Sequence, residues 1–353
     1  MKHLSSQGPL SQRIESAAGG LREYWHVVAL AKDLDENPIS TKLFSLPIVL
    51  WRGADRSPIA MLDVCPHRGA PLSKGRTQGD TITCPYHGIA FEKNGCLFKA
   101  PQGFTQKLNA QTLPCREAAG FVWVWMGENE PTGLPAFRGA DPTQYRWAEF
   151  AWEFDAPFDA VLENFMDSAH TSYIHQGIIR GYGASTLRKV TITGSPQQVR
   201  VDHDPVHENV GFSWLFGRGR KQEVTHSDLF LLPAAIQVDY TFKTETTKTF
   251  VALLFCSPLT ATKTMVYGRL GLAFGWYSAA LVPIVGYLAK KVLKQDFEIT
   301  QAQQRNCEAL GGLPEGFQSA DFMHVAIHRL IESTKHRKNY DIKPFSRTVE
   351  AEY

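Results

Sequence analysis

The chain is predicted to be α+β, with an antiparallel β-rich first part and a second part in which an antiparallel sheet is joined to long helices. Three observations lead there. Up to about residue 140 the sequence consists of short β-branched and aromatic runs cut by turn residues. Around 127–142 the composition shifts to glycine, proline and charge, which marks a domain boundary. Beyond it, long alternating runs lie between segments of helical period. With 353 residues the chain has room for about two domains. Its 43% hydrophobic and 20% charged content is that of an ordinary globular protein. A formal net charge of +2 gives no charge-driven reason to bind nucleic acid or an anionic membrane.

Residues 1–21, rich in Ser, Gln and Gly, are expected to form a loosely ordered arm and contain no apolar run of signal-peptide length. The first domain is expected over 22–140, with strands over 24–30, 42–51, 58–64 and 120–126. Asn94-Gly95, between two short apolar runs, predicts a hairpin with a type I′ turn. The second domain is expected over 141–353. It begins with a helix over 158–171. Six strands come next, over 188–193, 198–202, 228–232, 236–242, 249–256 and 264–272, and then helices near 288–310 and 320–335. The run 218–221 (Arg-Gly-Arg-Lys) reads as a solvated loop. Residues 270–289 carry no charge and are long enough to span a bilayer. Gly271, Gly275, Pro283 and Gly286 interrupt them, however, so the expectation is a strand end followed by an apolar helix lining a pocket, with no membrane span. Cys96, Cys115, Cys256 and Cys307 form no disulfide framework, which points to a reducing compartment, the cytoplasm.

The chemistry is concentrated in two blocks. The first is Cys65-Pro66-His67-Arg68-Gly69 and, sixteen residues beyond His67, Cys84-Pro85-Tyr86-His87-Gly88. Each loop offers one thiolate and one imidazole. Four such donors suit either a zinc ion or a [2Fe–2S] cluster. Zinc sites usually pair like ligands within a loop, whereas here each loop is mixed and can serve two irons. Gly69 and Gly88 let the backbone bend without a Cβ. The second block runs from Glu163 to His175. Asn164, Asp167 and His170 are spaced by three and share one face of an unbroken helix. His175 lies five residues further on, and Gly177 marks where the helix ends and lets both imidazoles converge. Two histidines and a carboxylate form the facial triad of non-haem Fe(II).

The first block resembles the Rieske cluster motif. The second resembles the catalytic motif Glu-Asn-x-x-Asp-x-x-His-x-x-x-x-His of Rieske non-haem iron oxygenases. The resemblance implies that Cys65 and Cys84 hold one iron of the cluster and His67 and His87 the other. Ala70 and Tyr86 stand where respiratory relatives place a disulfide, and Ile89 where a serine donates to sulfide, so a lower reduction potential is implied. His170 and His175 are the implied ligands of a mononuclear Fe(II), with Asn164 beside them in the motif. Asp167 is an implied bridge, accepting from His170 and from His87 of a neighbouring subunit. The stretch 295–304 resembles the family's late-helix pattern and makes Asp296 the third ligand. Glu298 is the rival carboxylate there, and Gln295 and Gln301 depart from the pattern. His324 and His328 read as ordinary helix residues without an acid partner.

The resemblance also implies a Rieske domain joined to a helix-grip domain around a substrate cavity, in a homotrimer. The implied activity is oxygen insertion, hydroxylation or demethylation of a small apolar or aromatic molecule, with O₂ as co-substrate. No flavin or NAD(P) fingerprint is present, so electrons from NAD(P)H imply a separate reductase and a ferredoxin. The expected cavity wall draws on Phe165, Met166, strands between Leu229 and Tyr240, and a helix from Trp276 to Tyr287. The alternative is a Rieske-type electron carrier, which needs only the first third of the chain.

Overall fold

The computed structural model describes residues 18–104, 108–137, 143–179, 187–207, 223–243, 247–312, 322–337 and 343–352. The chain divides into two compact units, residues 1–134 with 257–261, and residues 135–256 with 262–353. Most of the expected arm and the whole 218–221 run lie outside the described residues. Residues 18–21 do not behave as an arm, because Ala18 to Leu21 are buried at the start of the first unit.

The first unit is built from eleven described strands: β1 (Trp25–Leu30), β2 (Ile39–Leu43), β3 (Leu46–Arg52), β4 (Pro58–Leu62), β5 (Arg76–Gln78), β6 (Thr81–Thr83), β7 (Ala90–Glu92), β8 (Leu97–Lys99), β9 (Thr112–Leu113), β10 (Cys115–Ala118) and β11 (Phe121–Trp125). They form three antiparallel sheets, ordered β1-β11-β10, β2-β3-β4-β9 and β5-β6-β7-β8. Every residue of β1 and β11 is buried, which is why these strands read as apolar runs, interrupted in β1 by His26 alone. The strand expected over 42–51 is two strands, since Phe44 (φ 51°) and Ser45 (φ 66°) make a two-residue hairpin turn without the glycine that signals one. The type I′ turn expected at Asn94-Gly95 is also corrected. Only Gly95 has positive φ, and its N–H donates to the Glu92 carbonyl at 2.7 Å, which makes a longer turn.

The second unit holds an eight-stranded antiparallel sheet ordered β12-β18-β17-β16-β15-β14-β13-β19. Its strands are β12 (Arg146–Phe154), β13 (Leu187–Ser195), β14 (Gln198–His207), β15 (Glu223–Leu231), β16 (Ala235–Lys243), β17 (Thr247–Thr260), β18 (Lys263–Ala273) and β19 (Phe345–Glu352). The six predicted strands are all present, and β12 and β19 add both edges. β12 escaped notice because charge interrupts it. Glu149 on it faces Arg269 of β18 in register and pairs with it at 2.9 Å.

Three helices accompany the sheet among the described residues: α1 (Phe158–Met166), α2 (Ser278–Leu310) and α3 (Phe322–Lys335). α1 stops five residues before the predicted end. Asp167 caps it in an extended conformation and accepts the Ala169 N–H at 2.9 Å, and a 3₁₀ turn continues over Ala169–Ser172. The shared helix face expected for Asn164, Asp167 and His170 is therefore broken. α2 buries Val285, Ala289, Leu293, Asp296 and Thr300, a stripe of helical period that carries one carboxylate inward. Trp276 is 93% exposed and Tyr287 59%, so the expected wall from these two residues is replaced by one further along the helix. Among the described residues no helix is long and apolar enough to cross a membrane.

Candidate metal centres and substrate cavity

In the first unit the two predicted loops are built alike. Gly69 N–H donates to the Cys65 carbonyl at 2.8 Å, and Gly88 N–H to the Cys84 carbonyl at 3.1 Å. Cys65 N–H bonds the Ala70 carbonyl and Cys84 N–H the Ile89 carbonyl, both at 2.8 Å. Gly69 (φ 73°) and Gly88 (φ 69°) close the loops in the left-handed region, so their conformation is what requires glycine. Cys65 and Cys84 are buried in an apolar cluster with Trp51, Met61, Ile82 and Phe91. His67 and His87 remain partly exposed, and their Nδ1 atoms approach to 3.2 Å.

The donor set fits a cluster with a buried Cys₂ iron and an outer His₂ iron. Burial pushes the Cys65 thiol up, and the neighbouring Cys84 adds to this, an arrangement that a cationic iron pair relieves. Desolvation, then His87 and Arg68, hold His67 below the usual imidazole range, neutral and ready to ligate. Tyr86 stacks on His87 at 3.9 Å and Phe104 meets His67 edge-on at 5.0 Å. All six cysteines are free thiols, as the replacement by Ala70 and Tyr86 implies. Asp63, which drew no attention in the sequence, is buried ahead of Cys65. It accepts from Ser40 Oγ at 2.8 Å, Ser73 N–H at 2.7 Å and Ser73 Oγ at 2.6 Å, and so pins the first loop.

In the second unit His170, His175 and Asp296 converge. The two Nε2 atoms lie 3.2 Å apart, with the rings at 76°. Asp296 Oδ1 stands 3.0 Å from His175 Nε2 and 3.4 Å from His170 Nε2. Three ligand atoms so close, aimed at one point from crossed planes, fit one small cation. Burial opposes charge on Asp296, but bonds from both histidines outweigh it and hold the carboxyl at about 2. The rival Glu298 faces solvent and pairs with Lys294 at 3.5 Å.

The surrounding residues orient these ligands. Asn164 Nδ2 donates to Asp296 Oδ1 at 3.1 Å. His175 Nδ1 lies 3.0 Å from Gln295 Oε1, so the residue that departs from the family pattern fixes the imidazole as an amide can. Gln301, the other departure, is 3.4 Å from Asp155 and plays no part here. Asp167 is half exposed, and its Oδ2 lies 3.9 Å from His170 Nδ1, beyond hydrogen-bond reach. That Nδ1 is buried and has no partner. His324 and His328 do have an acid partner, which corrects the sequence reading. Glu163 of α1 lies 3.3 Å from His324 Nε2 and 4.0 Å from His328 Nδ1. The signal was hidden because the acid sits on another helix.

The triad opens onto a cavity of about 170 Å³. Its wall is mainly apolar, with Phe150, Phe165, Phe242, Phe250, Leu270 and Leu293 among its residues. Phe165, Val238 and Tyr240 line it as expected, and Met166 is buried elsewhere.

A small β unit whose donor set fits iron–sulfur, in one chain with a two-histidine, one-carboxylate triad at an apolar cavity, has the layout of a Rieske non-haem iron protein. Residues 24–110 match the Rieske [2Fe-2S] domain, and residues 154–334 match the vanillate O-demethylase oxygenase C-terminal domain. The second match alone covers half of the chain, and the chain belongs to this family of Rieske-type oxygenase components.

Among its relatives is the oxygenase component of dicamba O-demethylase from Stenotrophomonas maltophilia, 31% identical over 180 residues, 49% of this chain and 53% of the relative. The chloroplastic chlorophyllide a oxygenase of Oryza sativa subsp. japonica is 27% identical over 306 residues, 80% of this chain and 52% of the relative. The chain spans about half the length of these relatives. The crystal structure of dicamba monooxygenase bound to dicamba superposes with a TM-score of 0.80 at 22% identity, covering 90% of this chain and 98% of that one, and shows the same fold.

Proposed function

We propose that this chain is a terminal oxygenase that hydroxylates or oxidatively demethylates a small, largely apolar or aromatic molecule, using O₂ and electrons that a separate reductase, with a ferredoxin, draws from NAD(P)H. The observation that carries this reading is the convergence of His170, His175 and Asp296 on the wall of an apolar cavity, in a chain that also pairs Cys65/His67 with Cys84/His87. The relatives named for dicamba O-demethylation and chlorophyllide a oxygenation support it. A chain that only carried electrons would need nothing beyond the first unit.

Cys65, His67, Cys84 and His87 would hold the cluster, and His170, His175 and Asp296 the ferrous ion. When bound, these groups supply single electrons and the activation of dioxygen. The chain's own residues do the rest. Asn164 and Gln295 fix the directions of Asp296 and His175. The phenylalanine-lined wall excludes water and holds an apolar body against the triad. Asp167, half exposed with its Oδ2 3.9 Å from His170 Nδ1, would serve as the bridge on closing that gap and accepting from His87 of the partner subunit in a head-to-tail homotrimer. The protein works in the cytoplasm on this reading. The test is turnover of methoxyarenes by the iron-loaded protein with a surrogate reductase. Product mass shifts of about +16 or about −14 support it, and reductase-dependent reduction of the cluster without any product opposes it.

A further inference from the structure

Residues 270–289 carry no charge, yet the helix that holds the later part of them does not hide them all. The inner face of α2 buries Val285, Ala289 and Leu293. The opposite face carries Pro283, Ile284, Tyr287, Lys291 and Lys294, all exposed. Just ahead of the helix, after Gly275 (φ 84°), stands Trp276, its ring almost wholly in solvent and edge-on to Tyr277 at 5.6 Å. A single exposed apolar residue needs no explanation. A tryptophan, an isoleucine and a tyrosine at one end of one helix form a patch, and patches of this kind mark interaction surfaces.

The exposed stripe changes character along its length. Over 278–295 the chain has three lysines, at 290, 291 and 294, and no Asp or Glu. The formal charge of +2 on the whole chain conceals this local excess. Lys291 Nζ lies 4.8 Å over the Tyr287 ring, so its stem follows the apolar face and its charge stands at the edge. Lys294 pairs with Glu298 at 3.5 Å, both exposed. From Ile284 to Lys290 the helix rises about 9 Å. When the Trp276 end dips into a layer of lipid, the lysines therefore stand at the level of the phosphates. Protein interfaces are poor in lysine. A bilayer interface takes tryptophan and tyrosine at headgroup level with lysine beside them. The composition favours an anionic lipid surface over a protein partner, as expected for a basic amphipathic helix.

We infer that the N-terminal half of α2, with Trp276 ahead of it, is a docking surface for an anionic lipid bilayer, on which the chain lies without crossing it. Ala289, Val292 and Leu293 of the same helix line the cavity. An apolar molecule dissolved in the lipid would then be separated from the cavity by this one helix. That consequence rests on the cavity being the substrate pocket of the proposed oxygenase, whereas the docking does not.

The test is co-sedimentation of the full, iron-loaded chain with vesicles of phosphatidylcholine, alone or with about one-third phosphatidylglycerol. The wild type should bind the anionic vesicles at least about tenfold more tightly than the neutral ones, and salt at about 0.5 M should remove the preference. Lys290→Gln, Lys291→Gln and Lys294→Gln together should bring the two vesicles within about twofold of each other. Trp276→Ser with Tyr287→Ser should weaken binding to both by about tenfold. Brominated acyl chains should quench a part of the wild-type tryptophan emission that Trp276→Phe lacks. All five side chains are exposed, so these variants should unfold at the wild-type urea concentration. Should the aromatic pair fail to fold, the lysine variant and the quenching decide. The inference is overturned if the wild type binds no anionic vesicle or if the variants bind as it does. It is equally overturned if, without lipid, the wild type self-associates and the aromatic pair does not, since a second copy then covers the face. Because binding is read without turnover, vesicle binding by a chain that makes no product would sink the oxygenase reading and leave this one standing, and product from a chain that binds no vesicle would do the reverse.

Discussion

Asn164 Nδ2 donates to Asp296 Oδ1 at 3.1 Å, a bond that ties the last turn of α1 to the buried stripe of α2 across 132 positions of sequence. It sets the direction of the one carboxylate in the triad. Asn164→Ala removes the donor and leaves Asp296 to the two histidines alone. We expect ferrous affinity at this site to fall about tenfold or more, with the cluster unaffected. Iron titration after selective removal of the mononuclear metal checks this, and unchanged affinity would mean that the contact orients nothing.

Asp167 has two separable jobs. Its Oδ1 accepts the Ala169 N–H and ends α1, and its charge lies beside the orphaned Nδ1 of His170. Asp167→Asn keeps the turn and removes the charge. Iron content is expected to stay at the wild-type level while turnover falls at least about 100-fold, as for loss of a bridging carboxylate. Wild-type turnover in this variant would remove Asp167 from the electron route.

His26 gives the first unit a pH dependence of known sign. It is buried, with Nε2 2.9 Å from the Leu21 carbonyl and its ring edge-on to Phe44. Burial lowers its pKa from 6.5 to about 4. Above the unfolded value both states are neutral and the full stability is present. Below it the unfolded chain takes up the proton first, and stability is lost until about pH 4, where the folded state protonates as well. The loss over that window is on the order of 3 kcal/mol. Urea midpoints of wild type and His26→Phe between pH 7 and 4.5 should diverge in slope, the wild type falling more steeply, and parallel curves would contradict it.

Gly75 tests how tightly the second loop is held. A Cβ there would sit 1.9 Å from the carbonyl oxygen of Thr83, the residue before Cys84, and 3.0 Å from that of Leu72, and both are backbone that cannot step aside. Gly75→Ala should cost about 3 kcal/mol in the urea transition and weaken cluster retention during gel filtration. A neutral effect would show that the loop adapts.

How much the sequence made legible depends on how local each signal is. The proposed cluster ligands sit in two five-residue loops, each closed by a bond from its glycine N–H to its cysteine carbonyl, so Cys65, His67, Cys84 and His87 could be proposed from the sequence alone. His170 and His175 were readable as a motif, but the break at Asp167 was not, because it depends on one side chain turning back to Ala169. Asp296 could be matched but not separated from Glu298 until the buried stripe of α2 showed which one faces inward. Gln295 looked like a defect and is the partner of His175. The pairing of His203 and His226 with Asp228, each at 2.9 Å, was invisible as scattered residues, since only cross-strand register brings it together. The edge strands β12 and β19 were missed for a related reason, one being broken by charge and the other lying far along the chain from its partner β13.

Two iron sites of different kinds sharing one chain are the foundation of the proposed chemistry. Iron and acid-labile sulfide should therefore be counted in protein loaded anaerobically, beside His170→Ala. The wild type should hold about three irons and about two sulfides per chain, and the variant about two irons with both sulfides kept. A wild type that saturates at two irons, or that holds zinc and no sulfide, would contradict it.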